Sequence, residues 1–324
     1  MERDDYLNKI LCGDALEVLR SFPDGVIDTC VTSPPYWGLR DYGVEGQLGL
    51  EPTPEEYTAK MVEIFREVRR VLKDEGTLWL NLGDSYAKTE SNNSGYSDKS
   101  TLAGFTNPNT KGRQSNEVGT KIKLNHNLKP KDLCGIPWRI AFALQADGWY
   151  LRSDIIWSKP NPLPESVTDR PTKAHEYIFL MSKNERYYYD HEAIKEDSVD
   201  IVGSSNRYKK PFFVGEKHES GGYSPNGAKH TAGMKEFDGK RNKRTVWTVS
   251  THPFPEAHFA TFPEKLIEPC ILAGSPEKGI VLDPFMGAGT TAKVALRLNR
   301  NFTGIEINPE YKQMAEKRIQ PLLM

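Results

Sequence analysis

Cysteine is scarce in this 324-residue chain: Cys12, Cys30, Cys134 and Cys270 are scattered, with no Cys-x-x-Cys spacing. Such pairs would point to a metal knuckle or a redox couple, and a dense set to a disulfide scaffold. With neither present, a reducing compartment fits. All but one of the four lie in apolar contexts that read as core packing. Histidine is thin as well, with seven residues and no close pair at metal-ligand spacing, so no metal is expected. No apolar run approaches the roughly 20 residues that span a bilayer. Nor does a charged start lead into an apolar stretch as in a signal peptide, and a cytoplasmic protein with no membrane partner is expected. Excess charge of one sign is missing too, since 43 Lys plus Arg against 44 Asp plus Glu give a net charge of -1. Any nucleic-acid surface must therefore be local. What is present, 37% hydrophobic residues over this length, suffices for one elaborated α/β domain or two small ones.

Apolar patterning alternates between strand and helix periods. Residues 9–12 read as a strand, 15–22 as a helix and 27–32 as a buried strand. Thr53-Pro54-Glu55-Glu56 is a capping box with proline in the first turn. Tyr57, Met61, Ile64, Phe65, Val68, Val71 and Leu72 follow at helical spacing, which predicts an amphipathic helix over 54–73. A strand at 77–82 comes next, then a helix near 137–147. Strands at 151–157 and 176–182 are close enough in sequence to pair antiparallel at a sheet edge. Helices at 262–273 and 309–319 flank the last strands. This alternation predicts a doubly wound, mainly parallel α/β sheet, whose ligands bind beyond the carboxyl ends of the strands where strand order reverses.

Two motifs sit at such strand ends. Ser33-Pro34-Pro35-Tyr36 leaves the strand at 26–32 in a stiff extended bend, because each proline fixes its own φ and restricts the residue before it. It offers a hydroxyl, a carbonyl free of the sheet ladder and an aromatic face, which suit a flat amino-bearing ring. A plain strand exit with an exposed tyrosine would use the same residues. The second motif, Gly279-Ile280-Val281-Leu282-Asp283-Pro284-Phe285-Met286-Gly287-Ala288-Gly289-Thr290-Thr291, is a strand, a glycine turn and a helix start, where backbone can approach a ligand closely. The strand at 302–307 brings Glu306 to its end, placed to accept from both hydroxyls of a ribose. On its own this half suits a dinucleotide equally well.

Together the motifs resemble the amino-group DNA methyltransferases, whose signatures are Asp/Asn/Ser-Pro-Pro-Tyr/Phe/Trp and Asp-Pro-Phe-x-Gly-x-Gly-Thr. The catalytic segment precedes the cofactor segment, as in the permuted β group of that family. Gly13-Asp14-Ala15-Leu16, Ile156-Trp157-Ser158-Lys159-Pro160-Asn161-Pro162 and His258-Phe259-Ala260-Thr261-Phe262-Pro263-Glu264-Lys265-Leu266 agree with it, so the likeness spans most of the chain. It implies a Rossmann-like fold that binds S-adenosyl-L-methionine and acts on a base flipped out of double-stranded DNA. It implies Ser33, Pro34, Pro35 and Tyr36 as the catalytic segment, with Trp37 either a second wall or core. Asp283, Phe285, Gly287, Gly289 and Thr290 then surround the methionine part of the cofactor, Glu306 holds the ribose and Asp14 lies by the adenine edge. His258, Thr261 and Phe262 match a further cofactor segment, although many members carry lysine where Phe262 stands. Serine at the head of the tetrapeptide is associated in the family with N4-methylation of cytosine; N6-methylation of adenine is the alternative.

Two basic stretches complete the reading. One, at 111–131, includes Lys121 and Lys123; the other, at 207–244, ends in Lys240, Arg241, Lys243 and Arg244 and is interleaved with aromatics. Both lie in glycine- and asparagine-rich sequence where the family carries DNA-contacting segments, so these six are the expected phosphate contacts. The expected division is a catalytic half at 1–84, a polar DNA-contacting insertion at 85–132 that is mobile until DNA binds, more of the sheet at 133–183, a target-recognition region at 184–255 and a cofactor half at 256–324. The family also implies a prokaryotic or phage origin, a monomer or homodimer, and a restriction endonuclease as the partner in a restriction-modification system. Three rivals explain less. Pro269-Cys270 would serve a cytosine C5 enzyme, but it lies within an apolar helical pattern with Leu266, Ile267 and Ile271. A nicotinamide dehydrogenase leaves Ser-Pro-Pro-Tyr unexplained. A non-catalytic DNA-binding module would require the loss of a motif residue, and none is missing.

Overall fold

The structure is a computed structural model that describes residues 1–39, 43, 44, 46–87, 128–198, 240–251 and 262–323. Its strands are β1 (Lys9–Cys12), β2 (Ile27–Thr32), β3 (Leu72–Leu82), β4 (Tyr150–Ser158), β5 (His175–Ser182), β6 (Glu196–Asp197), β7 (Lys240–Arg241), β8 (Val246–Thr248), β9 (Ile280–Asp283) and β10 (Asn301–Glu306). Its helices are α1 (Arg3–Tyr6), α2 (Ala15–Arg20), α3 (Pro54–Val71), α4 (Ile136–Ala146), α5 (Glu264–Gly274), α6 (Thr290–Arg297) and α7 (Pro309–Ile319).

One sheet runs in the order β1-β10-β9-β2-β3-β5-β4-β8, and β6 pairs with β7 apart from it. From β1 to β3 all neighbours are parallel. β5 is antiparallel to both β3 and β4, and β8 lies parallel on the outer side of β4. The β4–β5 pair is therefore antiparallel as expected but does not form the edge, because the short β8 covers it. Every residue of β2 is buried, as a central strand covered on both faces requires.

Helices cover both faces. Leu19 of α2, Tyr57, Met61, Phe65 and Val68 of α3, and Ile140 and Leu144 of α4 pack on one side. Leu266 and Ile271 of α5, Ala292 and Val294 of α6, and Ala315 and Ile319 of α7 pack on the other. The start of α3 follows its sequence signal: Thr53 Oγ1 accepts from the Glu56 amide at 3.1 Å and Pro54 opens the helix. Each large apolar side chain buried this way contributes roughly 1.5–3 kcal/mol relative to exposure.

The connection β2–α3–β3 winds one way along the sheet and β9–α6–β10 winds the other, so strand order reverses between β2 and β9. The carboxyl ends of β1, β10, β9, β2, β3 and β4, with the start of β5, share one edge of the sheet there. At the same edge, residues 85–87 pair with 131–134 through Ala87 N to Asp132 O at 2.8 Å and Cys134 N to Ser85 O at 2.9 Å. These residues flank the polar insertion, whose stretch 88–127 lies outside the described residues. No helix among the described residues is long and apolar enough to cross a membrane.

Candidate functional site

Ser33-Pro34-Pro35-Tyr36 follows directly on β2 at this edge. The Pro35 carbonyl accepts from the Tyr57 hydroxyl at 2.7 Å, which ties the bend to α3. The Pro34 carbonyl receives no hydrogen bond from the described residues, so it and the Ser33 hydroxyl remain as acceptors. Glycine at position 83, just past β3, is required by the Tyr36 ring, since a Cβ there would stand 2.6 Å from Cε2. Trp37 is buried and donates its ring N–H to the Glu51 carbonyl at 2.8 Å, so it belongs to the core and forms no second wall.

The Tyr36 hydroxyl points into a polar cluster. It donates to Glu176 Oε2 at 2.8 Å, lies 3.3 Å from Asn81 Oδ1, and receives the Ser33 hydroxyl at 3.3 Å. Asn81 Nδ2 donates to Glu176 Oε2 at 3.2 Å and to the Tyr177 carbonyl at 3.1 Å. The other Glu176 oxygen pairs with Lys159, whose ammonium lies 4.3 Å from the centre of the Trp157 ring. Burial, and after it the Glu176 charge, push the Tyr36 phenol well above its ordinary value. Burial also lowers the neighbouring Lys173 and His175.

Across the reversal point, Asp283 ends β9 with its carboxylate turned inward. Oδ1 accepts from Thr32 Oγ1 at 2.6 Å and from the Phe285 amide at 3.0 Å, and Oδ2 accepts from Thr291 Oγ1 at 2.6 Å. With 2% of its surface exposed, burial pushes this carboxyl up to about 6 in spite of those bonds. One side chain thus clamps the end of β2, the end of β9 and the first turn of α6 together. Gly289 opens α6 at φ +77°, where a Cβ would also meet Ala315 at 2.9 Å. The Thr290 hydroxyl is held by Arg318 Nη1 at 2.9 Å.

Glu306 ends β10 beside this turn. Oε2 accepts from the Gly287 amide at 2.8 Å and Oε1 from the Asn308 amide at 2.9 Å, while burial raises its carboxyl. Its own carbonyl accepts from Gly13 at 3.0 Å, which brings the end of β1 alongside. Asp14, the next residue, caps α2 by accepting from the Glu17 amide at 3.0 Å. Phe285 is half-buried against the core on the α3 side, and Phe262 is half-buried against the other core.

The remaining expected residues are spread more widely. Lys121, Lys123, His258 and Thr261 lie outside the described residues. Arg241 and Arg244 both donate to Glu196 Oε1, at 3.0 and 2.9 Å, so a single carboxylate engages two of the six expected phosphate contacts. Burial pushes Glu196 up, but the two guanidiniums together hold it below its ordinary value. Lys243 lies 5.1 Å from the Trp247 ring and Lys240 is exposed on β7. Cys270 is buried inside α5 with its thiol pushed far up by burial, which makes it core and no nucleophile. Among the described residues no cluster of three or more His, Cys, Asp and Glu could hold a metal ion. Two open concavities, of about 590 and 710 Å³, lie between α3 and α4 and beside β1 and α7, and neither is lined by the tetrapeptide, Asp283 or Glu306. Neither gathers groups that suggest chemistry.

Sequence reasoning missed Glu176, Asn81, Lys159 and Tyr57. The one local signal for Glu176 is an acid at the head of an otherwise apolar strand, with a histidine before it.

The family model described as DNA methylase, of the N6/N4 kind, matches residues 27–317. The type II methyltransferase M.Cfr9I of Citrobacter freundii is 47% identical over 310 residues, which cover 95% of this chain and 86% of that protein. Among solved structures, the PvuII DNA methyltransferase described as cytosine-N4-specific has a TM-score of 0.60 at 19% identity, covering 98% of this chain and 93% of that one. A DNA modification methylase of Thermus thermophilus, complexed with S-adenosyl-L-methionine, has a TM-score of 0.56 at 21% identity, covering 97% and 94%.

Proposed function

We propose, starting from the fact that this chain belongs to the N6/N4 DNA methylase family, that it methylates the exocyclic N4 of a cytosine extruded from duplex DNA. The observation that carries the reading is the tetrapeptide at the end of β2, with Ser33 and Pro34 offering acceptors beside the Tyr36 ring. An exocyclic amine is a poor nucleophile because its lone pair is delocalised into the ring. Accepting its hydrogens draws the nitrogen toward tetrahedral geometry and returns the lone pair to it. Ser33 Oγ and the Pro34 carbonyl take that part, and Tyr36 stacks on the extruded ring. Extrusion costs a few kcal/mol, which stacking in the pocket partly offsets.

The residues at the neighbouring strand ends fit S-adenosylmethionine, which supplies an electrophilic methyl group when bound. Gly287 and Gly289 form a turn with bare backbone at the start of α6, next to Phe285. Each Glu306 oxygen spends one lone pair on a backbone amide and keeps another, so the carboxylate can still accept from two ribose hydroxyls. Asp14 lies at the adjacent strand end, for the adenine edge. Asp283 acts by bracing the turn, since its buried carboxylate is turned inward onto Thr32, the Phe285 amide and Thr291. Thr290, tied to Arg318, and Phe262 complete the surroundings, and the segment with His258 and Thr261 belongs to the same role.

Residues 184–255 are read as the target-recognition region, with Lys240, Arg241, Lys243 and Arg244 on DNA phosphates and Lys121 and Lys123 adding to them. The chain would act in the cytoplasm, as the modification partner of an endonuclease that cuts the same sequence. Serine at the head of the tetrapeptide supports cytosine over adenine. Methylation-sensitive sequencing of DNA from cells expressing the chain tests the reading: modified cytosines in one fixed sequence context are expected, and an unmodified genome would overturn it.

A further inference from the structure

We propose that Glu176 is a positioning residue that sets the direction of a chain of hydroxyls, so that Ser33 meets the target amine as an acceptor. This rests on the reading of Ser33 as the amine's partner. A serine hydroxyl, unlike a carboxylate, is ambivalent: it carries one hydrogen as well as its lone pairs. If that hydrogen faced the amine, donor would oppose donor. Something must hold it elsewhere.

The polar cluster below the tetrapeptide does this by elimination. The Glu176 carboxylate, paired with the Lys159 ammonium, offers only acceptors to its neighbours. Asn81 is oriented by its own donations, since Nδ2 goes to Glu176 Oε2 at 3.2 Å and to the Tyr177 carbonyl at 3.1 Å, which leaves Oδ1 facing Tyr36. On its inner side the Tyr36 hydroxyl therefore meets two acceptors, Glu176 Oε2 at 2.8 Å and Asn81 Oδ1 at 3.3 Å. Its hydrogen is committed inward, and toward Ser33 it can show only a lone pair. Ser33 Oγ, 3.3 Å from the phenol oxygen, must then donate. The serine's lone pairs are what remain for a ligand. Ser33, Asn81, Lys159 and Glu176 stand at the ends or start of β2, β3, β4 and β5, and the Tyr36 ring lies against Gly83 just past β3, so rigid elements hold the direction. A phenylalanine at position 36 would provide the same ring face without this control.

Glu176→Gln and Tyr36→Phe test the proposal, separately and combined. In Glu176→Gln, Lys159 draws the amide oxygen, so a donor replaces the nearer of the phenol's two acceptors and only Asn81 Oδ1 at 3.3 Å is left to hold its hydrogen away from Ser33. Each single change is expected to lower kcat about tenfold, the worth of one oriented hydrogen bond, with KM for duplex DNA and affinity for S-adenosylmethionine altered by less than about twofold. The double variant should fall no further than the deeper single one, because both break the same chain. A readout without turnover accompanies this: in the cofactor-free protein the Tyr36 hydroxyl proton should exchange slowly enough to be seen by NMR. That resonance should be absent in Tyr36→Phe and shifted or lost in Glu176→Gln. Tyr36→Phe removes a single oxygen and keeps the ring, so unchanged kcat in that variant alone overturns the proposal. Multiplicative losses in the double variant, or an unmoved hydroxyl resonance in Glu176→Gln, would overturn it as well. Ser33→Ala tests the underlying reading independently. Full activity there removes Ser33 from the reaction, whereas loss there beside unaffected Glu176→Gln and Tyr36→Phe sinks only the hydroxyl chain.

Discussion

Replacing Asp283 by asparagine should change how stability depends on pH, because this carboxyl is raised to about 6 in the folded chain by burial against three hydrogen bonds. In the unfolded chain it returns to its ordinary value of 3.8. A group whose folded value is the higher one favours the folded state when protonated. Its contribution is complete below 3.8 and is lost as pH rises through about 6. At about 1.4 kcal/mol per pH unit, the whole gap is worth about 3 kcal/mol, with most of it falling between pH 4 and pH 8. Asparagine keeps the shape. Its Oδ1 can accept from Thr32 and the Phe285 amide, and its Nδ2 can donate to Thr291, whose hydroxyl then turns to the Val31 carbonyl 3.5 Å away. Urea denaturation followed by circular dichroism across this pH range should show Asp283→Asn gaining about 2–3 kcal/mol on the parent from the acid to the alkaline end. A difference that stays flat with pH would mean that the buried carboxyl does not titrate near 6, and the clamp between β2, β9 and α6 would need another description.

Glu306→Ala should weaken S-adenosylmethionine binding by about 1.5–3 kcal/mol, the scale of hydrogen bonds to a charged group; an unchanged calorimetric isotherm in the folded variant removes Glu306 from the site. Tyr36→Ala should leave that isotherm intact while lowering turnover by a stacking energy of about 1–3 kcal/mol, and full activity would mean that the Tyr36 ring does not hold the base. Neutralising Lys240, Arg241, Lys243 and Arg244 together should flatten the plot of log DNA affinity against log salt. Because Glu196 already engages Arg241 and Arg244, the slope should change by less than four phosphate contacts would give, and no change at all would make the four charges merely solvated.

Much of the fold was legible because it is written in local patterns. The capped amphipathic run of α3, the buried strand–glycine turn–helix sequence through β9 and α6, and the alternation that implies a parallel sheet all announce themselves within about twenty residues. What escaped was short or non-local. β3 begins at Leu72, five residues before the expected start, because Lys73-Asp74-Glu75-Gly76 has the composition of a turn. β8, at three residues, is too short to show a period, so the partner that covers β4 could not be read. The same holds at the site. Ser33, Tyr36, Asp283 and Glu306 stand in sequence motifs, and the structure gathers them at one sheet edge. The bonds that hold Tyr36 come from Asn81 and Glu176, 45 and 140 residues away, where no local pattern marks them. Asp14, just past β1, also caps α2 by accepting from the Glu17 amide.

The most direct test of the account is nucleoside mass spectrometry of duplex DNA incubated with the pure protein and S-adenosylmethionine. N4-methylcytosine is expected, formed by the parent chain and lost in Ser33→Ala. N6-methyladenine as the sole product would contradict the assignment of the base, and an equal yield of methylated base from Ser33→Ala would contradict the site.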